Sequence, residues 1–462
     1  MQTKLSDNVI LMTDSYKFSH AGLYPAGTKG MFGYITARVP SFTTIVPFGL
    51  QMWMKKYLTM QITYSDIAEA TAFCKLHGVP FDPRPWKHIV QQWDGYLPLV
   101  IKAVPEGTRV RGGDPIVTVE CTDKEVYWLA AYVETMMQRA VWYPTTIASN
   151  DYQAWKQLKI YADVTSGSSD VSFMLHDFGG RGVTCHEQAE IGGAAHLVYF
   201  KGSDTVEGVR AANFYYTEEM SGFSVPATEH SIQCAYGPNN QAEYLKSVLD
   251  CYATPGAIVS IVLDGYDVYR EAQLLCSMKE QIIKSGAKIV FRPDSGDPLV
   301  VIPRILQLQE MTFGCKINSK GYKVINNVGI IQGDGIDTVK MVEILECIRL
   351  LGYSSDCIVF GSGGALLQKV NRDTYKFAQK VSAIMNQDGE WVDVFKDPVT
   401  DSGKKSLAGR VTLYRSSMTG ELLVGTIGPH DSEWTEVLVQ VYSHGIIQVN
   451  DTLEQIRARA IA

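Results

Sequence analysis

Acidic and basic side chains follow several apolar runs in the middle of this 462-residue chain, where glycine-rich turns begin. Asp264, Asp294 and Asp334 each end one run. Their carboxylates suit Mg²⁺ or the hydroxyl groups of a ribose, although each could equally cap a helix or a turn. Guanidinium and ammonium groups are the usual ligands of a phosphate-rich substrate. The cations in or just after these polar segments are Arg181, Arg292, Arg372, Lys380, Lys396 and Lys404.

Two of the turns, Gln332–Gly335 and Phe360–Gly364, are especially rich in glycine and lead into predicted helices. Backbone N–H groups in such turns, together with the N-terminus of the following helix, can bind phosphate. Neither turn is a GxGxxG dinucleotide fingerprint, because Thr338 and Leu366 stand where the third glycine is required. The turns therefore indicate phosphate binding without a dinucleotide fingerprint.

His230 ends a further run, directly after Pro-Ala-Thr-Glu. A single histidine is more often structural than functional, and the pattern alone leaves both roles open. His186 begins His-Glu-Gln-Ala-Glu, which lacks the second histidine of HExxH, so a zinc protease is excluded. No residue is assigned as a metal ligand from the sequence.

Helical segments separate seven such apolar runs, a pattern typical of parallel strands that are covered on both faces. Seven repeats favour an α/β barrel over an open sheet, and in a barrel the residues after each strand gather at one rim. The seven runs are 173–181, 196–204, 222–230, 257–265, 288–296, 329–335 and 357–364.

The two ends of the chain are predicted to be rich in β-strands. Pro115–Cys121 is a predicted strand near the start, and Leu422–Ile427 is half of a predicted hairpin near the end. The predicted fold is therefore an irregular α/β barrel over residues 149–384, flanked by a mixed, β-rich domain built from residues 1–148 and 385–462.

Composition narrows the possible classes of protein. A net charge of −7 argues against a general nucleic-acid or anionic-membrane binder. The longest uncharged run, Val39–Met54, contains two prolines and is shorter than the roughly 20 residues of a membrane span. Asp7 and Asp14 argue against a signal peptide. Nine scattered cysteines without a CxxC pair are typical of a reducing compartment, so we expect a cytoplasmic protein.

Seven motifs, in order and at similar spacing, resemble the nicotinamide phosphoribosyltransferase family, which belongs to the type II phosphoribosyltransferases. The likeness extends from about residue 11 to residue 410. The motifs are Thr13–Lys17, Leu175–Gly182, Phe200–Asp204, Ser224–His230, Arg292–Gly296, Ile331–Gly335 and Phe360–Lys369.

The resemblance implies a reaction of nicotinamide with phosphoribosyl pyrophosphate that yields nicotinamide mononucleotide and pyrophosphate. It also implies a requirement for Mg²⁺, ATP hydrolysis coupled through a phosphorylated histidine, and a homodimer with shared active sites. Phe178 and Tyr16 of the partner subunit would sandwich the pyridine ring, and Asp204 would hold the carboxamide. Arg181 and Arg292 would bind phosphate or pyrophosphate.

Further roles follow from the same resemblance. Asp294 would bind the ribose hydroxyls, and His230, with Asp264 near it, would be the phosphorylated residue. The residues implied at the ribose 5′-phosphate are Gly333, Asp334, Gly363, Gly364 and Arg372. The remaining cations implied at phosphate are Lys380, Lys396, Lys404 and Arg38 of the partner subunit.

Three positions depart from the animal enzymes: Gly180 replaces a tyrosine, Ala378 a serine and Thr228 an alanine. The nearest alternative is a nicotinate phosphoribosyltransferase, and a more distant one is a non-catalytic binding protein on the same scaffold. A carboxylate at Asp204 favours the amide substrate, because it would repel nicotinate. A pure binder would have no use for a phosphate acceptor such as His230.

Overall fold

The structure is a computed structural model that describes residues 7–400, 405–428 and 431–462. The chain divides into two compact units. The first comprises the residues up to Ser149, the short segment Phe214–Thr217, and the residues from Asn371 onwards. The second comprises Asn150–Asn213 and Glu218–Val370.

The N-terminal part of the chain begins with two short 3₁₀ helices, Val9–Leu11 and Ser15–Leu23. Its strands are β1 (Gly30–Ala37), β2 (Thr44–Ile45), β3 (Val100–Ala103), β4 (Val110–Arg111) and β5 (Pro115–Cys121). Its helices are α1 (Leu50–Trp53), α2 (Tyr64–His77), α3 (Pro83–Gln92), α4 (Leu129–Tyr132) and α5 (Glu134–Thr165), with a π-helical turn at Met54–Leu58.

The middle of the chain alternates strands and helices. Its strands are β6 (Leu175–Asp177), β7 (Gly202–Ser203), β8 (Ile258–Val262), β9 (Lys288–Arg292), β10 (Cys315–Ile317), β11 (Lys323–Ile325), β12 (Val328–Gln332) and β13 (Ile358–Ser362). Its helices are α6 (His186–His196), α7 (Val206–Tyr215), α8 (His230–Ala235), α9 (Gln241–Tyr252), α10 (Val268–Ser277), α11 (Lys279–Ser285), α12 (Pro298–Phe313), α13 (Thr338–Leu350) and α14 (Gly364–Leu367). A 3₁₀ turn lies at Ser355–Cys357.

The C-terminal part of the chain consists of antiparallel strands followed by a helix. A capping box formed by Thr452 and Gln455 lies at the N-terminus of this helix. The strands are β14 (Phe377–Met385), β15 (Trp391–Asp393), β16 (Val411–Ser416), β17 (Leu422–Thr426), β18 (Trp434–Glu436), β19 (Val439–Ser443) and β20 (Ile446–Ile447), and the helix is α15 (Leu453–Ile461).

Six parallel strands of the second unit are paired in the order β7-β6-β13-β12-β9-β8. A seventh segment joins the two edges: Phe223 bridges to Gly202 in β7, and Ala227 bridges to Ser260 in β8, both in parallel. The ring of pairings is thereby closed, and the predicted α/β barrel is confirmed. It is irregular because this segment forms isolated bridges and contains Pro226, which has no backbone N–H to donate.

The barrel strands place their polar turns at one rim, because parallel strands end on the same side. Central strands such as β12 are buried on both faces, as the continuous apolar runs predicted. The residues that follow β6, β7, β8, β9, β12 and β13 therefore share one end of the barrel. They include Phe178, Asp204, Asp264, Asp294, Gly333 and Gly363.

The first unit contains a seven-stranded antiparallel sheet in the order β15-β14-β1-β5-β3-β19-β20. Strand β1 pairs with β14 and β3 pairs with β19, so both ends of the chain contribute to one sheet, as predicted for the flanking domain. Strand β14 belongs to this unit although the sequence-based division counted residues up to 384 with the barrel. Its pairing along the whole of β1 is the reason. In the described ranges, no helix combines the length and apolarity needed to cross a membrane.

Candidate active site

A cavity of about 630 Å³ opens at the barrel rim within the second unit. Eight residues singled out from the sequence line it: Phe178, Arg181, Asp204, Arg292, Asp294, Gly333, Asp334 and Gly363. Three further residues line it: Gly180, which the sequence marked only as a departure from the animal enzymes, and Thr205 and Glu207, which were not foreseen. The cavity combines an aromatic ring, two guanidinium groups and several carboxylates, a set suited to a charged substrate that carries a ring.

Phe178 and Asp204 stand at the ends of neighbouring strands. The Phe178 N–H donates to the carbonyl of Ser362 at 3.0 Å, and the Asp204 N–H donates to the carbonyl of Asp177 at 2.9 Å. The Ser224 hydroxyl donates to Oδ1 of Asp204. Backbone pairing therefore fixes the ring and the carboxylate relative to each other.

Gly361 makes room for the Phe178 ring. A Cβ atom at this position would lie 2.0 Å from Cε2 of Phe178, closer than any real contact. A Cβ on Gly333 would lie 3.3 Å from the same atom. Sequence reasoning assigned Gly333 to phosphate and missed the steric role of Gly361. The motif that contains Gly361 was visible, but the packing of Phe178, which follows the neighbouring strand β6, against it was not.

Arg292 is the last residue of β9, and Asp294 follows it. In the sheet, β9 is three strands away from β6, the strand that precedes Phe178. The Arg292 Nη2 and Asp294 Oδ2 atoms are 4.0 Å apart, and both side chains are largely buried. Within the described ranges, the Arg292 Nε is buried without a hydrogen-bond partner, which marks it as a donor that an anionic ligand could satisfy. Burial raises the pKa of Asp294; Arg292 opposes the rise and the nearby Asp264 adds to it.

His230 and Asp264 form a hydrogen-bonded pair near Asp294. Nε2 of His230 lies 2.9 Å from Oδ1 of Asp264. The Asp264 side chain is 5% exposed, whereas that of His230 is 45% exposed. Neither residue lines the cavity, but both act electrostatically on Asp294. An exposed imidazole held by a buried carboxylate is the arrangement of an oriented nucleophile or base.

A buried amide network anchors the turn that carries Asp264. The N–H of Gly265 donates to Oε1 of Gln233 at 3.0 Å, and the Gln233 amide donates to Glu271. Burial raises the pKa of Glu271 to about 7. Sequence reasoning missed Gln233 and Glu271, because nothing in their local sequence distinguishes them from ordinary helix residues.

The structure shows the surroundings of two residues that differ from the animal enzymes, Gly180 and Thr228. Gly180 lines the cavity, and a Cβ there would lie 3.1 Å from Oγ1 of Thr205. The Thr228 hydroxyl is paired with the Tyr244 hydroxyl at 2.7 Å and accepts from the Val262 N–H at 2.9 Å. Thr228 thus ties the closing segment of the barrel to β8.

The remaining predicted residues belong to the first unit, apart from Gly364, which begins α14. Tyr16 is 55% exposed, and the ammonium of Lys17 lies 5.5 Å from its ring centre. Nε of Arg38 donates to a backbone carbonyl at 3.2 Å, and Arg372 lies 3.6 Å from the Asp373 carboxylate. Lys404 lies outside the described residues.

The ammonium group of Lys380, on β14, has a pKa below its ordinary value. Burial lowers the pKa of Lys380; Glu134 acts against this, and three neighbouring cations lower it further. These cations are Arg38, Lys396 and Lys17. Cations that are crowded in this way favour the approach of an anion.

The carboxylates of the barrel rim do not form a complete metal cage. Among the described residues, no group of three His, Cys, Asp or Glu side chains is placed to hold a metal ion. Asp264 and Asp334 nevertheless both act on Asp294. One or two carboxylates fit Mg²⁺, which usually completes its shell with water and substrate phosphate oxygens.

Comparison with known proteins finds similarity along nearly the whole chain. The nicotinate phosphoribosyltransferase (NAPRTase) family matches residues 173–446, and the N-terminal domain of nicotinamide phosphoribosyltransferase matches residues 8–101. The nicotinamide phosphoribosyltransferase of Xanthomonas campestris pv. campestris is 43% identical and aligns with 99% of this chain and 98% of its own. That of Acinetobacter baylyi is 33% identical, over 98% of this chain and 97% of its own.

A solved structure has a similar fold. The crystal structure of the nicotinate-nucleotide pyrophosphorylase from Pyrococcus furiosus aligns with 100% of this chain and 97% of its own, with a TM-score of 0.63. The two sequences are 16% identical, so the likeness concerns the fold alone.

Proposed function

Since this chain belongs to the nicotinate phosphoribosyltransferase family and is a phosphoribosyltransferase of NAD salvage, we propose that its substrates are nicotinamide and phosphoribosyl pyrophosphate. The products are nicotinamide mononucleotide and pyrophosphate. The observation that carries the choice of nicotinamide is a carboxylate, Asp204, in the same cavity as the Phe178 ring. A carboxylate accepts from the amide NH₂ of nicotinamide and repels the carboxylate of nicotinate.

The chemistry exchanges one bond at ribose C1. The bond to the pyrophosphate oxygen breaks, and a bond to the pyridine nitrogen forms, so positive charge develops on the ribose and negative charge on the leaving group. Arg181 and Arg292 stabilise the leaving group, a fixed electrostatic contribution of a kind often worth several kcal/mol. The buried Nε of Arg292 gains its hydrogen-bond acceptor when pyrophosphate binds. Asp294 holds the ribose hydroxyls.

Stacking orients the pyridine ring, which is a weak nucleophile. Phe178 covers one face, and Tyr16 of the partner subunit is proposed to cover the other in a homodimer. Positioning of the reactants supplies a large part of the acceleration in such two-substrate reactions. Mg²⁺, when bound, neutralises charge on the pyrophosphate, and Asp294 and Asp334 are its proposed protein ligands.

ATP hydrolysis is proposed to be coupled to synthesis through His230. Asp264 accepts from one ring N–H, which leaves the lone pair of the other nitrogen for attack on the γ-phosphorus of ATP. An N–P bond forms, the bond from the γ-phosphorus to the bridging oxygen breaks, and ADP leaves. The phosphohistidine adds acceptor oxygens beside the pyrophosphate site, and its hydrolysis returns the imidazole. A cytoplasmic location is proposed from the scattered free cysteines.

The substrate is tested by direct product identification. The purified protein is incubated with phosphoribosyl pyrophosphate, Mg²⁺ and either nicotinamide or nicotinate, and the mononucleotide is identified by mass. We expect nicotinamide mononucleotide to dominate. Equal turnover of nicotinate would assign the alternative nicotinate activity, and no product from either base would favour a binding protein.

The role of His230 is tested with γ-labelled ATP. Acid-labile label is expected on the wild-type protein and is expected to be absent from His230→Ala, which should also lose ATPase activity and stimulation by ATP. Slow synthesis without ATP is expected to remain, because the Arg292 contacts are intact. Label that persists in the variant, or wild-type synthesis indifferent to ATP, would contradict the assignment.

A further inference from the structure

Three buried titratable residues lie behind the part of the cavity that holds Phe178 and Asp204. They are Asp151 on α5, Asp177 at the end of β6 and His196 at the end of α6. Asp177 and His196 are 0% exposed and Asp151 is 1% exposed. None of the three lines the cavity, and the reaction as described uses none of them.

His196 connects a helix to the strand that carries Asp204. Its Nδ1 lies 2.8 Å from Oδ2 of Asp151, and its Nε2 lies 3.2 Å from the carbonyl oxygen of Gly202. A carbonyl oxygen only accepts, so Nε2 must carry a proton. A second proton must then lie between Nδ1 and Asp151. The pair therefore shares a buried proton and fixes the Gly202 carbonyl two residues before Asp204.

Asp177 connects the same network to the strand that carries Phe178. Its Oδ1 accepts from the Gly179 N–H at 2.7 Å, directly after Phe178. Its backbone carbonyl accepts from the Asp204 N–H at 2.9 Å. Burial lowers the pKa of His196, but Asp151, Asp177 and the hydrogen bond to Gly202 together raise it above its ordinary value. Asp177 therefore also interacts electrostatically with the imidazole. The ends of β6 and β7 are thus held from one buried cluster.

Since Phe178 and Asp204 bind the pyridine ring and its amide in the proposed function, we propose that Asp151 and His196 are positioning residues that set the spacing of these two groups. They act through Gly202 and the paired ends of β6 and β7, without touching the substrate. The inference rests on the proposed function. It requires that loss of the pair weakens binding of the pyridine substrate selectively. Phosphoribosyl pyrophosphate is less affected, because its proposed ligands lie mainly after β9, β12 and β13 and only Arg181 follows β6.

Two substitutions at Asp151 separate positioning from simple stability. Asp151→Ala leaves Nδ1 of a buried imidazole without a partner, and we expect KM for nicotinamide to rise about tenfold or more, with KM for phosphoribosyl pyrophosphate within about threefold of wild type. Asp151→Asn can donate from its amide to Nδ1 of a neutral His196 that still donates to Gly202. This variant should therefore keep both KM values within about threefold.

Gln309→Ala is the matched control. Gln309 is 0% exposed and donates to the carbonyl of Gly329 at 3.1 Å, at the start of β12 and away from the rim. Its loss should lower the melting temperature without changing the ratio of the two KM values. The inference is overturned if Asp151→Ala behaves like this control, or if Asp151→Asn is as impaired as Asp151→Ala.

Amide hydrogen exchange of the unliganded protein tests the positioning without any turnover. The N–H groups of Gly179 and Asp204 should exchange faster in Asp151→Ala than in wild type, and at the wild-type rate in Asp151→Asn and Gln309→Ala. Unchanged exchange in Asp151→Ala would refute the inference. If the wild type fails to convert nicotinamide, the proposed function is refuted, and the exchange pattern still decides whether the buried pair holds the two strand ends.

Discussion

Replacement of Gly361 by alanine tests how closely catalysis depends on the place of the Phe178 ring. The new Cβ would lie 2.0 Å from Cε2 and 2.3 Å from Cδ2 of that ring. Ordinary contact begins at 3.4 Å, so the ring must move by about 1.4 Å. The backbone at Gly361 has little freedom to retreat, because β13 is paired with β6 at this position.

The displacement converts into an expected loss of activity. A misplacement of about 1 Å can lower a reaction that depends on orientation by about 100-fold. We therefore expect kcat/KM for nicotinamide to fall by about 100-fold in Gly361→Ala. Overpacking lowers the free energy of unfolding by about 1–3 kcal/mol, which a marginally stable domain survives.

The assay is steady-state kinetics of mononucleotide formation, combined with thermal unfolding. Gly329→Ala is the matched control in the same barrel. Its Cβ would lie 3.3 Å from the flexible end of Lys288 and at an ordinary contact distance of 3.7 Å from the Cys357 carbonyl oxygen. Phe178→Ala removes the ring, and adding Gly361→Ala to it should cause little further loss, since the two changes act on one contact. Activity of Gly361→Ala within about threefold of wild type would refute the reasoning, as would a double variant far worse than Phe178→Ala alone.

Three other outcomes are expected. Asp204→Asn should shrink the discrimination against nicotinate, which such a site can raise to about 10⁴-fold, and an unchanged ratio of kcat/KM for the two bases would contradict a direct role for the charge. Mixing Tyr16→Ala with Asp204→Ala, each nearly inactive alone, should restore part of the activity once subunits exchange; no recovery despite proven exchange would rule out a shared site. Burial raises the pKa of Glu271 to about 7, so the free energy of unfolding should fall as pH rises from the ordinary value of 4.5 through about 7. Glu271→Gln should therefore be more stable than wild type in urea at alkaline pH and lose that advantage in acid; equal midpoints at alkaline pH would disprove the effect.

The barrel was predictable because each strand buries both faces and therefore appears as an uninterrupted apolar run. The segment that closes the barrel, which contains Phe223 and Ala227, forms isolated bridges in place of a regular strand. Pro226 in this segment is the sequence feature that indicates the irregularity. Helical boundaries were less predictable: apolar spacing predicts one helix over residues 125–139, whereas the structure has α4 and a longer α5. Helix α5 continues through Pro144, because packing overrides the local preference against proline. Strand β14 was counted with the barrel, since its partner β1 lies at the far end of the chain.

The candidate site was partly predictable for a related reason. Residues that directly follow strands, such as Phe178, Asp204 and Asp294, gather at the rim of any barrel, so their sequence positions sufficed. Gly361 and Gln233 could not be foreseen, because their roles depend on which side chain faces them across the fold. Tyr16 remains a prediction, since its proposed partner is a second subunit.

The pairing of β1 with β14 and of β3 with β19 constrains how the chain can be made and shortened. During synthesis, the early strands leave the ribosome long before their partners exist, while all of the second unit is still to come. Until then β1 and β3 have open edges, which are sites of intermolecular pairing. A C-terminal truncation that removes β14–β20 would make this temporary state permanent. Such a fragment would retain every described barrel residue named here, yet it should aggregate.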